Sequence, residues 1–134
     1  MRIPYNPKNS PRVIVVQILY GKLFNEDENI TFPKHRFKKF IKDVVLGTIE
    51  RNEVIEDELK NYLSNDLNFN NLDKVFQVII KAAIFELLYK SKISRKIIIN
   101  EYLTASNFFL ETSQTKFLNA ILDKISKKIR SLNA

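Results

Sequence analysis

Apolar residues along the chain recur every three to four positions, in stretches separated by polar interruptions. Residues 1–9 are irregular, with Pro4 and Pro7 among polar neighbours. Ser10-Pro11 then reads as an N-cap followed by proline at the first helical position, where its missing N–H costs nothing. A helix is predicted from there to about Phe24, ending in the polar run Asn25-Glu26-Asp27-Glu28-Asn29. Thr31 and Pro33 introduce the next helix. In it Phe37, Phe40, Ile41, Val44, Val45 and Thr48 keep helical spacing, with Lys38, Lys39, Lys42 and Asp43 between them. Ile55, Leu59, Tyr62 and Leu63 resume the same period, so this helix is expected to continue through Asn52. Asn65, Asp66, Asn68, Asn70 and Asn71 mark a loop.

From about Leu72 the pattern changes. Val75, Phe76, Val78, Ile79, Ile80, Ala82, Ala83, Ile84, Leu87 and Leu88 leave the segment apolar nearly all round, as a central buried helix requires. Ser91 to Ser94 break it, and a further helix is predicted from about Lys96 to Leu110. Ser113 is a candidate cap for a last helix through Phe117, Leu118, Ile121, Leu122, Ile125 and Ile129. Its final turns carry Lys124, Lys127, Lys128 and Arg130, favourable beside a negative helix C-terminus. No stretch shows sustained period-two alternation, and the Ile97–Ile99 run is too isolated to pair as a strand. The predicted class is all-α, a compact bundle of six or seven helices in a single domain over 1–134, without a solenoid repeat.

Composition narrows the chemistry. Cysteine is absent, which removes disulfides, thiolate–zinc sites and cysteine nucleophiles together. One histidine and two unclustered glycines, Gly21 and Gly47, offer neither a histidine metal site nor a phosphate-cradling loop. No cofactor, no metal and no catalytic residue is therefore expected. The net charge of +7 suggests a polyanionic partner, although lysine, isoleucine and asparagine are abundant enough to reflect AT-rich coding. Residues 1–67 carry 11 basic and 10 acidic groups and residues 68–134 carry 11 and 5, so the second half holds +6 of the total. Val13 to Tyr20 is too short to span a membrane, and no Ala-x-Ala cleavage site follows it. A cytoplasmic protein with no membrane partner is expected.

Two clusters have bland explanations. His35 lies between Lys34 and Arg36 without a second ligand or acid nearby in sequence, and reads as a surface residue. Glu53, Glu56, Asp57 and Glu58, like the lysines of residues 34–42, fit solvated helix faces. From the residues alone the chain is a helical interaction module with a weak preference for nucleic acid.

Four segments carry more. Val16-Gln17-Ile18-Leu19-Tyr20, Ala83-Ile84-Phe85-Glu86-Leu87-Leu88, Ile99-Asn100-Glu101 and Lys116-Phe117-Leu118-Asn119-Ala120-Ile121-Leu122-Asp123-Lys124 stand in the order and spacing of the NusB family's motifs. The chain resembles that family over nearly its whole length. The resemblance implies an all-helical fold of two packed three-helix halves and a non-enzymatic role in transcription antitermination. The implied partners are boxA-type single-stranded RNA of ribosomal RNA leaders, NusE (a small-subunit ribosomal protein), other Nus factors and RNA polymerase, with a homodimer possible. Single-stranded RNA suits such a surface, because unstacked bases lie on aromatic rings while cations hold phosphates.

Carried over residue by residue, the resemblance implies RNA contacts from Lys8, Arg12, Gln17 and Tyr20 near the N-terminus. Lys81 in the central helix and Lys116 with Phe117 at the start of the last helix complete the set. Core packing is the competing role for Tyr20 and Phe117. Glu86, Asn100, Glu101 and Asn119 are expected to support the fold. The chain departs from the family in three places: a thinned N-terminal basic cluster, Ala120 in place of glycine, and Phe76 where some relatives carry an acid on the NusE face. The competing function is a recruitment module like the helical domain attached to ribosomal-RNA methyltransferases, with little RNA binding of its own. No methyltransferase domain follows residue 134, which favours the antitermination factor.

Overall fold

The structure, a computed structural model, describes residues 9–63 and 69–131. Among them are six α-helices and no strand: α1 (Pro11–Phe24), α2 (Lys38–Glu50), α3 (Asn52–Tyr62), α4 (Lys74–Tyr89), α5 (Arg95–Ser106) and α6 (Thr112–Ser131). A short 3₁₀ turn, Phe69–Asn71, precedes α4. The all-α expectation holds, and Lys8, Asn65, Asp66 and Asn68 lie outside the described residues.

α4 is the axle of the molecule, packing against each of the other five helices. Ile79, Ile80, Ala82, Ala83 and Ile84 are fully buried, as the all-round apolar pattern requires. α1 runs antiparallel to it, Arg12 meeting Glu86 near one end and Leu19 and Leu23 sharing a cleft with Gln77 and Val78 at the other. α6 runs parallel to α4: Phe117 stacks on Phe76, and Arg130 donates to the Leu87 carbonyl. That arginine closes α4, its Nε 2.9 Å from the Leu87 oxygen and its Nη2 3.3 Å from that of Lys90. α5 returns antiparallel to α6, tied by Arg95 to Asp123 at 3.2 Å and to Ser126 at 3.1 Å.

The boundaries differ from the sequence pattern in three places. The helix expected to pass through Asn52 bends at Arg51, whose backbone (φ −98°, ψ 20°) ends α2 and starts α3. The bend directs Ile55 and Leu59 into the core beside α4. α5 stops at Ser106, whose carbonyl takes the N–H groups of Phe109 (2.9 Å) and Leu110 (2.8 Å) in a closing turn. α6 begins one residue before its expected cap. Ser113 lies inside the first turn, and the Gln114 side chain reaches back to the Glu111 N–H at 3.1 Å, half of a capping box. Ala120 is exposed, so the missing glycine leaves α6 packing undisturbed.

The central polar feature is buried. Arg12, only 8% exposed, forks onto Glu86 with Nε–Oε2 3.0 Å and Nη2–Oε1 2.7 Å, and Glu86 has no solvent exposure. The guanidinium also lies 4.9 Å from the centre of the Phe40 ring and 5.7 Å from that of Tyr102. Burial alone would lower the Arg12 pKa, but the hydrogen bond and charge of Glu86 raise it, so the cation is secure. The Tyr102 hydroxyl is pushed well above its ordinary value, chiefly by burial and then by the Glu86 charge, and stays neutral.

Three outcomes follow for stability. Glu86→Gln should cost about 3–5 kcal/mol by leaving a buried cation without its counter-charge. An Arg12→Met/Glu86→Met double variant should lose less than the two single losses added, as a double-mutant cycle of chemical denaturation will measure. Gly47→Ala should also lower the melting temperature, because its new methyl would overlap the Phe85 ring, itself held edge-on by Tyr89. Overpacking of about 1–3 kcal/mol outweighs the up to about 1 kcal/mol that alanine returns in helix propensity.

Candidate nucleic-acid interface

The sequence-derived candidates separate into two exposed pairs and two engaged cations. Gln17 and Tyr20, three positions apart, share the outer face of α1. The Tyr20 ring is 39% exposed and meets Phe24 edge-on at 5.1 Å. Lys116 and Phe117, expected at the start of the last helix, lie in the second turn of α6. Phe117 is 41% exposed while its ring stacks at 5.6 Å and 27° on Phe76, which is 2% exposed. One face of the phenyl ring is therefore anchored to the core, and the rest of the residue faces solvent. Core packing and surface presentation, offered by the sequence as rivals, coexist in this residue.

Because α1 is antiparallel and α6 parallel to α4, Tyr20 and Phe117 lie toward the same end of the bundle, where α4 begins. The N-terminal segment enters at the other end. Tyr20 lies eight residues along the helix from Arg12, a rise of about 12 Å. The candidates do not collapse into one pocket.

Arg12 is not the exposed phosphate ligand that its sequence position suggested. Its guanidinium is enclosed by Glu86, Phe40 and Tyr102, with Glu101 at 3.8 Å on the outer side. Lys81 is likewise engaged: its ammonium lies 2.8 Å from Asn52 Oδ1, 3.0 Å from Glu56 Oε1 and 5.9 Å from the Phe69 ring centre. The Lys81 hydrogen bond, ahead of its charge, holds the Glu56 carboxyl below its usual range. Lys81 lines a cleft of about 500 Å³ between the end of α1, the α2–α3 bend and the start of α4. There it joins α3 to α4. A phosphate could recruit it only by breaking that network.

The motif polar residues divide in the same way. Glu86 is a fold residue, as expected, whereas Asn100 and Asn119 are exposed on α5 and α6. The exposure of these two argues against the fold-supporting role expected of them.

His35 was read as a bare surface residue, yet it is a latch. Its Nδ1 accepts the Phe37 N–H at 2.9 Å, which leaves the proton on Nε2 to be donated to the Asn9 carbonyl at 2.6 Å. The Asn9 backbone is thereby held against the entrance of α2. Nothing in the sequence signals this contact, because 26 residues separate its partners.

The family model described as NusB family matches residues 9–127. The transcription antitermination protein NusB of Maricaulis maris is 26% identical, with 92% of this chain and 88% of that protein covered. That of Rickettsia bellii is 28% identical, with 90% of each covered. The similarity to the Mesorhizobium japonicum protein, 25% identical, spans 69% of this chain and 59% of that relative, and to the Bartonella tribocorum protein 56% of the relative. Among solved structures, T. maritima NusB superposes with a TM-score of 0.78 at 25% identity, covering 96% of this chain and 94% of that one. A NusB solved with NusE and double-stranded RNA shares the fold at 16% identity, with a TM-score of 0.74 over 91% of this chain and 97% of that one. With the family's pattern running from the first described residue almost to the end of α6, this chain belongs to the NusB family.

Proposed function

We propose that this chain is a transcription antitermination factor: a non-enzymatic adaptor that binds boxA-type RNA of ribosomal RNA leaders together with NusE. In that role it joins other Nus factors on RNA polymerase. The relatives bear the name transcription antitermination protein, and the NusB solved with NusE and RNA supplies the partner classes to test. The observation that carries the reading for this chain is the Phe117 ring, braced from behind by Phe76 and open in front, with the exposed Lys116 beside it. A braced ring presents its free surface to a base with little entropy left to lose, and a neighbouring cation meets the phosphate. Lys116 carries no ion pair among the described residues, so its charge is available. Gln17 and Tyr20 form a second exposed element at the same end of the bundle, placed for a strand that crosses from α6 to α1.

The test is fluorescence titration of labelled boxA-like RNA, single- and double-stranded, with and without NusE. Phe117→Ala should weaken binding about five- to a hundredfold, the loss of one stacked base at about 1–3 kcal/mol. Lys116→Ala should lower the slope of log affinity against log salt by about one unit or slightly less. Normal RNA binding by Phe117→Ala, or weak binding explained by a melted protein, would move the contact surface to Gln17 and Tyr20.

A further inference from the structure

Where free positive charge sits differs from what the halves of the sequence suggest. The second half carries most of the excess, yet much of it is engaged within the fold. Lys81 pairs with Glu56, Lys90 with Asp43, and Arg95 and Lys127 with Asp123. Arg130 closes α4, and Lys128 lies over the Tyr62 ring, a contact that Lys42 also makes with the Phe32 ring without losing its exposure. In the first half, Lys34, Arg36, Lys38, Lys39 and Lys42 follow one another with no acid among them, and all five are exposed. None of the five carries an ion pair among the described residues.

Their position works against the helix they begin. Lys38, Lys39 and Lys42 occupy the first turns of α2, which has no acid in its first turn and no side-chain cap bond at Phe37. Cations at a helix N-terminus oppose the backbone dipole. Stability does not explain such a cluster, whereas an external anion would relieve it.

Two further observations specify the anion. Phe37 presents a 47% exposed ring amid these cations, with the Arg36 guanidinium 5.3 Å from its centre. An exposed ring interleaved with cations suits a base joined to phosphates better than a phosphate alone. The His35–Asn9 hydrogen bond also brings the Asn9 backbone beside this surface, and Arg12 packs on Phe40 one turn into α2. The surface thus lies where the described chain begins, at the start of α1 and α2.

We propose that the surface formed by Lys34, Arg36, Phe37, Lys38, Lys39 and Lys42 is a second RNA-binding element. It takes the single-stranded backbone flanking the boxA-type sequence, with Phe37 as its stacking platform and His35 as the residue that holds the Asn9 backbone beside it. The inference rests on the RNA-binding function proposed above. It adds a contact at the end of the bundle where α1 and α2 begin, remote from Phe117.

The experiment compares boxA-like RNA with and without single-stranded flanks, using the full chain with NusE present. Wild-type protein should bind the flanked RNA more tightly. Lys38→Gln/Lys39→Gln/Lys42→Gln should lose that advantage, weaken flanked binding more than tenfold and reduce the salt slope by about two units. Phe37→Ala should weaken the flanked RNA about fivefold or more and leave the short RNA unchanged. The lysine variant should melt no lower than wild type, because the substitutions relieve the helix dipole. As a charge-matched control, Lys96→Gln/Lys124→Gln/Lys127→Gln should retain the flank advantage. Equal losses in the control, or an unchanged flank advantage in the α2 variant, would overturn the proposal while leaving boxA binding intact. Failure of wild-type protein to bind either RNA would instead overturn the functional reading on which it rests.

Discussion

Burying Arg12 against Glu86 constrains the geometry of both candidate surfaces. Neither ion can be left alone at this depth, because the effective desolvation penalty is several kcal/mol per charge and is offset only when the partner is held in good geometry. The two-pronged contact, with Nε on one carboxylate oxygen and Nη2 on the other, fixes direction as well as distance. It sets the rotation of α1 on α4. With Arg12 turned inward, Gln17 lies about 140° around the helix and faces outward, and Tyr20 follows one turn later on the same side. Phe40 and Tyr102 close over the guanidinium, so α2 and α5 are registered against the same pair. The polar centre specifies how four helices meet.

This arrangement explains which parts of the fold were legible in the sequence. α4 was legible because burial on all sides leaves an unmistakable apolar run, and α1 because Ser10-Pro11 and the Asn25–Asn29 loop bracket it. The Arg51 bend was not, because the apolar period crosses it without glycine or proline to mark a break. Arg12 misled for a deeper reason. An arginine in a basic N-terminal segment looks solvent-facing, and its partner lies 74 residues further along the chain. A local pattern holds no information about a pairing of that separation. The Glu86 side of the pair was legible, since a lone carboxylate in an otherwise apolar helix demands a partner.

For the candidate interface the sequence supplied residue types and missed their engagement. Lys81 was indistinguishable from a free lysine until α3 was placed beside α4. Phe117 fitted both a core and a surface role because the apolar period of α6 continues through it. The structure shows why both descriptions were partly right: the ring leans on Phe76 and stays accessible. Phe76, where some relatives were expected to carry an acid, supplies the flat apolar support. An acid could not support the ring in that way. The departure at 76 thus supports a residue, Phe117, that matches the family's motif.

Net charge is a poor guide to where an RNA would lie on this molecule. Counting residues assigns the excess to the second half, but a cation already paired with a carboxylate or carbonyl contributes little to a distant potential and releases no counterion when RNA arrives. Subtracting the ion-paired groups leaves the densest run of available cations at the start of α2, where five stand within nine residues without an ion pair among the described residues. There the helix dipole adds to their field instead of opposing it. Two acids, Glu56 and Asp123, account for much of the neutralisation elsewhere, each bound to at least one cation in the fold. The carboxylates near the chain entry are themselves engaged: Glu86 and Glu101 face Arg12, and Asp43 faces Lys90. The run of exposed cations at the start of α2 therefore stays open to an anion, although the first half of the sequence is almost neutral.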